Sequence, residues 1–299
     1  MLDIRRILCP VDFSDASRHA LDHAVVIAGW YGASLTALHV STPVFLLQPP
    51  VLFTDLPMAA PTEADREHVE LQLRRWVETA GALGLTTEVL YDEGHNPARS
   101  ILTCAASLPA DLIVMGTHGR GGFERLVLGS VTEKVLRKAT CPVLTVPPPA
   151  VRATKPPFKR LLCPVDFSEP SIAALRFAVS LAEESDARVT TMHVLNVRID
   201  DERLLDPLDT PEFRLRCEDN ARTRLEALIP DEARAFCQAV TQVIWGKPYR
   251  RILDVAENEA TDLIVMGVHG RNAIDLMLFG STTNQIVRHA SCPVLTLRG

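Results

Sequence analysis

Residues 110–120 read ADLIVMGTHGR, and residues 261–271 read TDLIVMGVHGR. Nine of these eleven positions are identical. In each stretch an apolar run stops abruptly at a glycine-bearing loop. A second glycine-plus-hydroxyl step follows, Gly129-Ser130 in one copy and Gly280-Ser281 in the other. The spacing G-x2-G-x9-G-S therefore occurs twice, each time as strand, loop and helix start. Such a loop brings backbone N–H groups close to an anion, and the helix N-terminus adds unpaired amides. One glycine loop after a strand is an ordinary turn. Two at one spacing in one context point to two phosphate cradles.

The repetition extends outward from these loops. RILCPVDFS at 6–14 recurs as RLLCPVDFS at 160–168, LHV at 38–40 as MHV at 192–194, and CPVLT at 141–145 unchanged at 292–296. The offset is 154 residues early and 151 later, so the copies differ by a net three residues in their middles. The chain is a tandem duplication. Pro147–Pro157, PPPAVRATKPP, has five prolines in eleven residues and reads as a stiff connector. The expected domains are 1–147 and 158–299, with a linker at 148–157. A length of 299 residues agrees with two domains.

Within a copy, short apolar runs alternate with amphipathic stretches. Strands are expected at 5–11, 34–40, 86–91, 111–115 and 142–146. Helices are expected after Ser14, at Thr62–Leu83, at Pro97–Leu108 and at Ser130–Ala139. Strand–helix alternation of this kind predicts an α/β fold, an open parallel sheet with helices on both faces. Ligands of such sheets sit beyond the carboxyl ends of the strands, where the strand order reverses. Asp12, His39-Val40 and Gly116–Gly119 all lie at strand carboxyl ends. Gly116, Gly119 and Gly129 allow close approach of backbone and positive φ. Ser130 and Thr132 offer hydroxyls, and His118 and Arg120 offer charge. Asp12 suits a ribose hydroxyl or a base amine, and the Val40 backbone suits an adenine edge. His39 and His193 read as satisfied strand-end histidines, and Cys9 and Cys163 as inert core thiols.

Composition excludes several classes. Hydrophobic residues make up 47% and charged residues 23%, as in a globular domain, and the net charge of −6 argues against a general nucleic-acid or anionic-membrane binder. Seven cysteines with no CxxC pair read as reduced thiols. The apolar run before Asp12 is too short for a signal sequence. Ala24–Val40 is broken by Gly29 and Gly32, and reads as helix, turn and strand rather than a membrane span. The expected location is the cytoplasm.

With these landmarks in order in both copies, the chain resembles the universal stress protein family over essentially its whole length. The resemblance implies two tandem doubly wound parallel five-stranded sheets of order 3-2-1-4-5, similar to the adenine nucleotide α-hydrolase fold. It implies that the last strands pair across the halves, forming an intramolecular pseudo-dimer. The full glycine motif resembles that of the ATP-binding members, which implies ATP with Mg2+ as ligand. In copy one Asp12 and Val40 would face adenosine, and Gly116, Gly119, Gly129, Ser130, Val131 and Thr132 would hold ribose and phosphates. The matching positions in copy two are Asp166, Val194, Gly267, Gly270, Gly280, Ser281, Thr282 and Thr283. His269 and Arg271 match His118 and Arg120.

The copies diverge inside the loop. Copy one reads Arg120-Gly-Gly-Phe-Glu-Arg125 and copy two Arg271-Asn-Ala-Ile-Asp-Leu276, with one arginine fewer and no glycine pair. Weaker ATP binding is expected in copy two. The segment 44–53, VFLLQPPVLF, is strongly apolar, where copy two is acidic. It packs on its own protein or forms a surface for a second copy or another protein.

A nucleotide-binding stress-response regulator is the leading reading. A slow ATP hydrolase is the second, although no Walker A sequence occurs and no extra carboxylate is placed as a base. A dinucleotide oxidoreductase is disfavoured, because CPVDFSDAS after the first strand contains no glycine. A dimerisation module without nucleotide conflicts with the intact glycine pattern.

Overall fold

A computed structural model describes residues 3–42, 62–119, 128–148, 150, 158–196, 210–268 and 280–298. The first half runs β1 (Arg6–Pro10), α1 (Asp15–Tyr31), β2 (Ser34–Ser41), α2 (Glu63–Ala82), β3 (Thr87–Glu93), α3 (Pro97–Ser107), β4 (Leu112–Gly116), α4 (Ser130–Lys138) and β5 (Val143–Val146). The second half repeats it as β6 (Arg160–Pro164), α5 (Glu169–Ser185), β7 (Arg188–Leu195), α6 (Pro211–Glu226), α7 (Asp231–Phe236), β8 (Gln238–Trp245), α8 (Pro248–Asn258), β9 (Leu263–Gly267), α9 (Ser281–His289) and β10 (Val294–Leu297). Helix α7 is the one of these that the repeat does not foresee. In copy one the corresponding link is the glycine turn Gly81-Ala-Leu-Gly84.

Local chemistry sets the helix starts. Ser14 accepts from the Ser17 amide at the head of α1, and Ser168 does the same for Ser171 at α5. Thr62 and Asp65 form a reciprocal capping box on α2. Asn96 caps α3, with Pro97 in its first turn.

The described strands form one sheet, in the order β3-β2-β1-β4-β5-β10-β9-β6-β7-β8. Each half therefore has the order 3-2-1-4-5 expected for it. All pairings within a half are parallel, and β10 runs antiparallel to β5, with Leu295 opposite Leu144. Two buried threonines stitch this seam. Thr145 Oγ1 donates to Val294 O at 3.1 Å, and Thr296 Oγ1 donates to Val143 O at 3.2 Å. The pseudo-dimer is thus a continuous sheet.

Alternate side chains feed two apolar cores, one on each face. Ile7, Leu21, Leu144, Leu161, Leu175 and Leu295 belong to one, and Leu8, Ile113, Leu136, Leu162, Ile264 and Val294 to the other. Both cores cross the seam. Cys9 and Cys163 are fully buried, and desolvation pushes both thiols far up. All seven cysteines are free.

Asp111 and Asp262, at the start of the duplicated motif, are structural. The Arg5 and Arg6 amides donate to Asp111 Oδ2 at 3.0 and 2.9 Å, and the Lys159 and Arg160 amides donate to Asp262. Each carboxylate pins the entry of one strand to that of its neighbour. Within the expected linker, Ala150 is buried and its amide donates to Pro147 O. Residues 151–157 and the apolar segment 44–53 lie outside the described residues. Among the described residues no helix is long and apolar enough to cross a membrane.

Candidate functional site

The strand order reverses between β1 and β4, which pair directly through Ile7 with Leu112 and Leu8 with Ile113. Asp12 leaves the carboxyl end of β1 at this point. The Ser14 amide and Ser14 Oγ donate to Asp12 Oδ1 at 3.0 and 2.5 Å. The other carboxylate oxygen, Oδ2, lies against Gly119, where an added Cβ would come within 2.5 Å of it. One oxygen therefore orients the α1 cap while the other meets the loop after β4. Asp166 repeats the arrangement with the Ser168 amide and hydroxyl, at 3.0 and 2.5 Å.

The turn that aims each aspartate is strained. Phe13 and Phe167 have φ of 62° and 65°, a left-handed conformation that is costly for an aromatic residue. Ring contacts hold them there. Phe13 packs on His39 at 4.9 Å and edge-on against Trp76 at 5.2 Å. Phe167 packs on His193 at 4.7 Å, and the Arg224 guanidinium sits 3.9 Å over its ring. His39 Nδ1 donates to Val11 O, and His193 Nδ1 donates to Val165 O, each at 2.7 Å. These histidines fix the peptide just before the aspartate, in line with their reading as satisfied strand-end residues. Val40 and Val194 follow them near the ends of β2 and β7, half-buried beside the cleft. Spacing did not reveal the two phenylalanines, although the repeated PVDFS contains them. Nothing in a phenylalanine announces a positive φ.

The glycines act by proximity, which corrects one expectation. Among the described residues, Gly116, Gly119, Gly129 and Gly267 are absent from the positive-φ set. A Cβ on Gly116 would lie 3.0 Å from the Ala16 backbone, and one on Gly267 would lie 2.8 Å from that of Pro170. These two glycines let the first turn of α1 or α5 rest on the strand end. The Gly129 amide donates to Thr117 O at 2.9 Å, and that of Gly280 to Val268 O at 3.1 Å.

Thr132 gives a second correction. It is buried, and its Oγ1 donates to Gly116 O at 2.9 Å; Thr283 Oγ1 donates to Gly267 O at 3.1 Å. Their hydroxyl protons lock helix to strand instead of facing the cleft. Ser130 and Ser281 are exposed, and Val131 and Thr282 are half-buried, all in the first turns of α4 and α9. Among the described residues neither helix has a side-chain cap. Their first amides are thus available to an anion, unlike those at the capped starts of α1 and α5.

His118 is a third correction. Its Nδ1 hydrogen-bonds Thr117 Oγ1 at 2.8 Å, while buried Nε2 has no partner among the described residues. Desolvation lowers its pKa from the ordinary 6.5, which favours the neutral ring at pH 7 in the ligand-free chain. Arg120, His269, Gly270 and Arg271 lie outside the described residues.

In the first half a carboxylate, a glycine loop and a helix start meet at the switch point of a tandem α/β chain, the place where open parallel sheets take their ligands. Residues 3–147 and 157–298 each match the universal stress protein family, and the chain belongs to it. A universal stress protein of Mycolicibacterium smegmatis is 26% identical over 302 residues, covering 98% of this chain and 96% of that one. One from Methanocaldococcus jannaschii is 38% identical over 149 residues, covering 48% of this chain and 83% of its own. The crystal structure of a universal stress protein from Archaeoglobus fulgidus shares the fold, with a TM-score of 0.71, 21% identity and 99% coverage of both chains.

Proposed function

We propose that this universal stress protein binds ATP in both clefts and acts as a stress-response regulator, through nucleotide-dependent conformation or partner binding. The observation that carries the reading is the contact of Asp12 Oδ2 with Gly119, which brings the carboxyl end of β1 and the β4 loop into one crevice. A carboxylate there suits ribose hydroxyls. The bare α4 N-terminus suits phosphate, since its amides carry partial positive charge. His118 Nε2, which has no partner among the described residues and is protonated when Nδ1 accepts from Thr117, is a neutral donor for a phosphate oxygen. Among the described residues no group of three or more His, Cys, Asp or Glu is placed to hold a metal ion. Mg2+ would therefore arrive with the phosphates and keep most of its water.

Copy two binds more weakly in this reading, because its loop is less basic and lacks the glycine pair. The apolar 44–53 segment is the proposed contact for a second copy or a protein partner. The free thiols and acidic net charge favour a cytoplasmic setting.

Mass spectrometry of nucleotide released from the purified chain, followed by ATP titration of Asp12→Ala and Asp166→Ala, tests the proposal. Two sites per chain are expected, with the larger loss from Asp12→Ala. A chain that neither carries nor takes up ATP would sink the reading.

A further inference from the structure

The opposite end of the sheet, in the second half, holds a polar cavity. It has a volume of about 240 Å³ and is lined by Arg160, Leu161, Arg188, Thr190, Asn258 and Glu259. Arg160 and Arg188 open neighbouring parallel strands in direct register, so their side chains leave the same face of the sheet. Two like charges side by side in a sheet cost stability. Copy one avoids the pairing, because Arg6 is in register with Ser34. There Arg6 Nε donates to Pro109 O at 2.8 Å. Arg160, its counterpart, makes no side-chain hydrogen bond among the described residues.

The acid in the cavity does not cancel this charge cleanly. Glu259 occupies the position of Leu108 in copy one. It accepts from Thr190 Oγ1 at 2.7 Å and from Gln242 Nε2 at 2.5 Å, while Arg188 Nη2 stays 3.8 Å away. The carboxylate is held by neutral donors and leaves the Arg188 fork room for another acceptor. Asp262 also lies near Arg160, but its oxygens accept from the Lys159 and Arg160 amides. The lining side chains sum to one positive charge.

We infer that the register-paired Arg160 and Arg188, beside the fixed Glu259 in the cavity below α8, form a binding site for a small monocarboxylate. Two guanidinium forks match a planar carboxylate. A single negative charge balances the lining, whereas Glu259 and the negative carboxyl end of α8 repel a phosphate dianion about twice as strongly as a monocarboxylate. The cavity lies below the usual range for drug-sized ligands, so it takes a metabolite of amino-acid size and excludes a nucleotide. The site stands apart from both ATP clefts and does not depend on them.

Pyruvate is the probe, titrated into the full chain labelled with 15N-arginine, and the Nε–H resonances are followed by NMR. Saturable shifts of Arg160 and Arg188 are expected, with a dissociation constant on the order of 1 mM. Arg160→Leu and Arg188→Leu should each weaken binding about tenfold. Without ligand, Arg160→Leu should melt no lower than the parent, because a like-charge neighbour is gone. No saturable shift, binding by either variant as tight as that of the parent, or tighter binding of inorganic phosphate than of pyruvate would overturn the assignment. A clear melting loss in Arg160→Leu would do so too, since it would mark the pair as structural. ATP titration of the same samples reads the clefts separately.

Discussion

A hydroxyl in the first turn of a helix serves either a ligand or its own fold, and Thr132 and Thr283 serve the fold. Each donates to the carbonyl of the strand-end glycine, a bond worth about 1 kcal/mol when buried. His118 is read the same way, atom by atom. Burial favours the neutral imidazole, which contributes one hydrogen-bond donor and no cation. His118→Ala should therefore weaken ATP binding about threefold to tenfold, the cost of one neutral hydrogen bond. The sign of the pH effect follows from the lowered pKa. The ring takes up its proton only below its ordinary 6.5, so the wild-type advantage is constant between pH 7 and 8 and grows below 6.5. ATP titrations at pH 6, 7 and 8 check this. An advantage that collapses between pH 7 and 8 would mean a charged ring after all.

At the scale of elements, the glycines separate into two kinds by what a methyl group would strike. On Gly267 it meets the backbone and ring of Pro170 at 2.8 and 2.9 Å, and on Gly119 it meets the movable end of Asp12. Gly267→Ala should destabilise the chain by about 1–3 kcal/mol, because helix α5 must lift from β9. Gly119→Ala should cost less than about 1 kcal/mol, yet weaken ATP binding about tenfold, because Asp12 is turned aside. Urea unfolding and ATP titration on both variants distinguish them, and normal ATP binding by Gly119→Ala would refute the second part. The strands and most helices were legible because apolar runs, caps and prolines are local signals, as in Arg6–Pro10, Thr62–Asp65 and Asn96-Pro97. The two glycine roles, the Phe13 conformation and the inward hydroxyl of Thr132 were not. They depend on distances between segments about a hundred residues apart or less, which no spacing rule encodes. Helix α7 was hidden because the repeat is broken there.

At the scale of the molecule, the two halves share one sheet and two cores. Leu144 and Leu295 face each other at the seam and are almost fully buried. The chain should therefore unfold on heating in a single calorimetric transition. Leu144→Ala combined with Leu295→Ala should lower it for both halves together, by about 2–5 kcal/mol per leucine. Two separate wild-type transitions would show that the halves melt independently. The antiparallel pairing of β5 with β10 has another consequence. Two separate chains joined along such an edge would part on dilution, whereas here one polypeptide carries both strands. The partner edge is present at a fixed local concentration however scarce the protein becomes. Freed from obeying two-fold symmetry, each half has been able to drift. Trp76 guards one phenylalanine and Arg224 the other, and only one half carries the twin arginines. The covalent join thus makes room for two halves with different tasks.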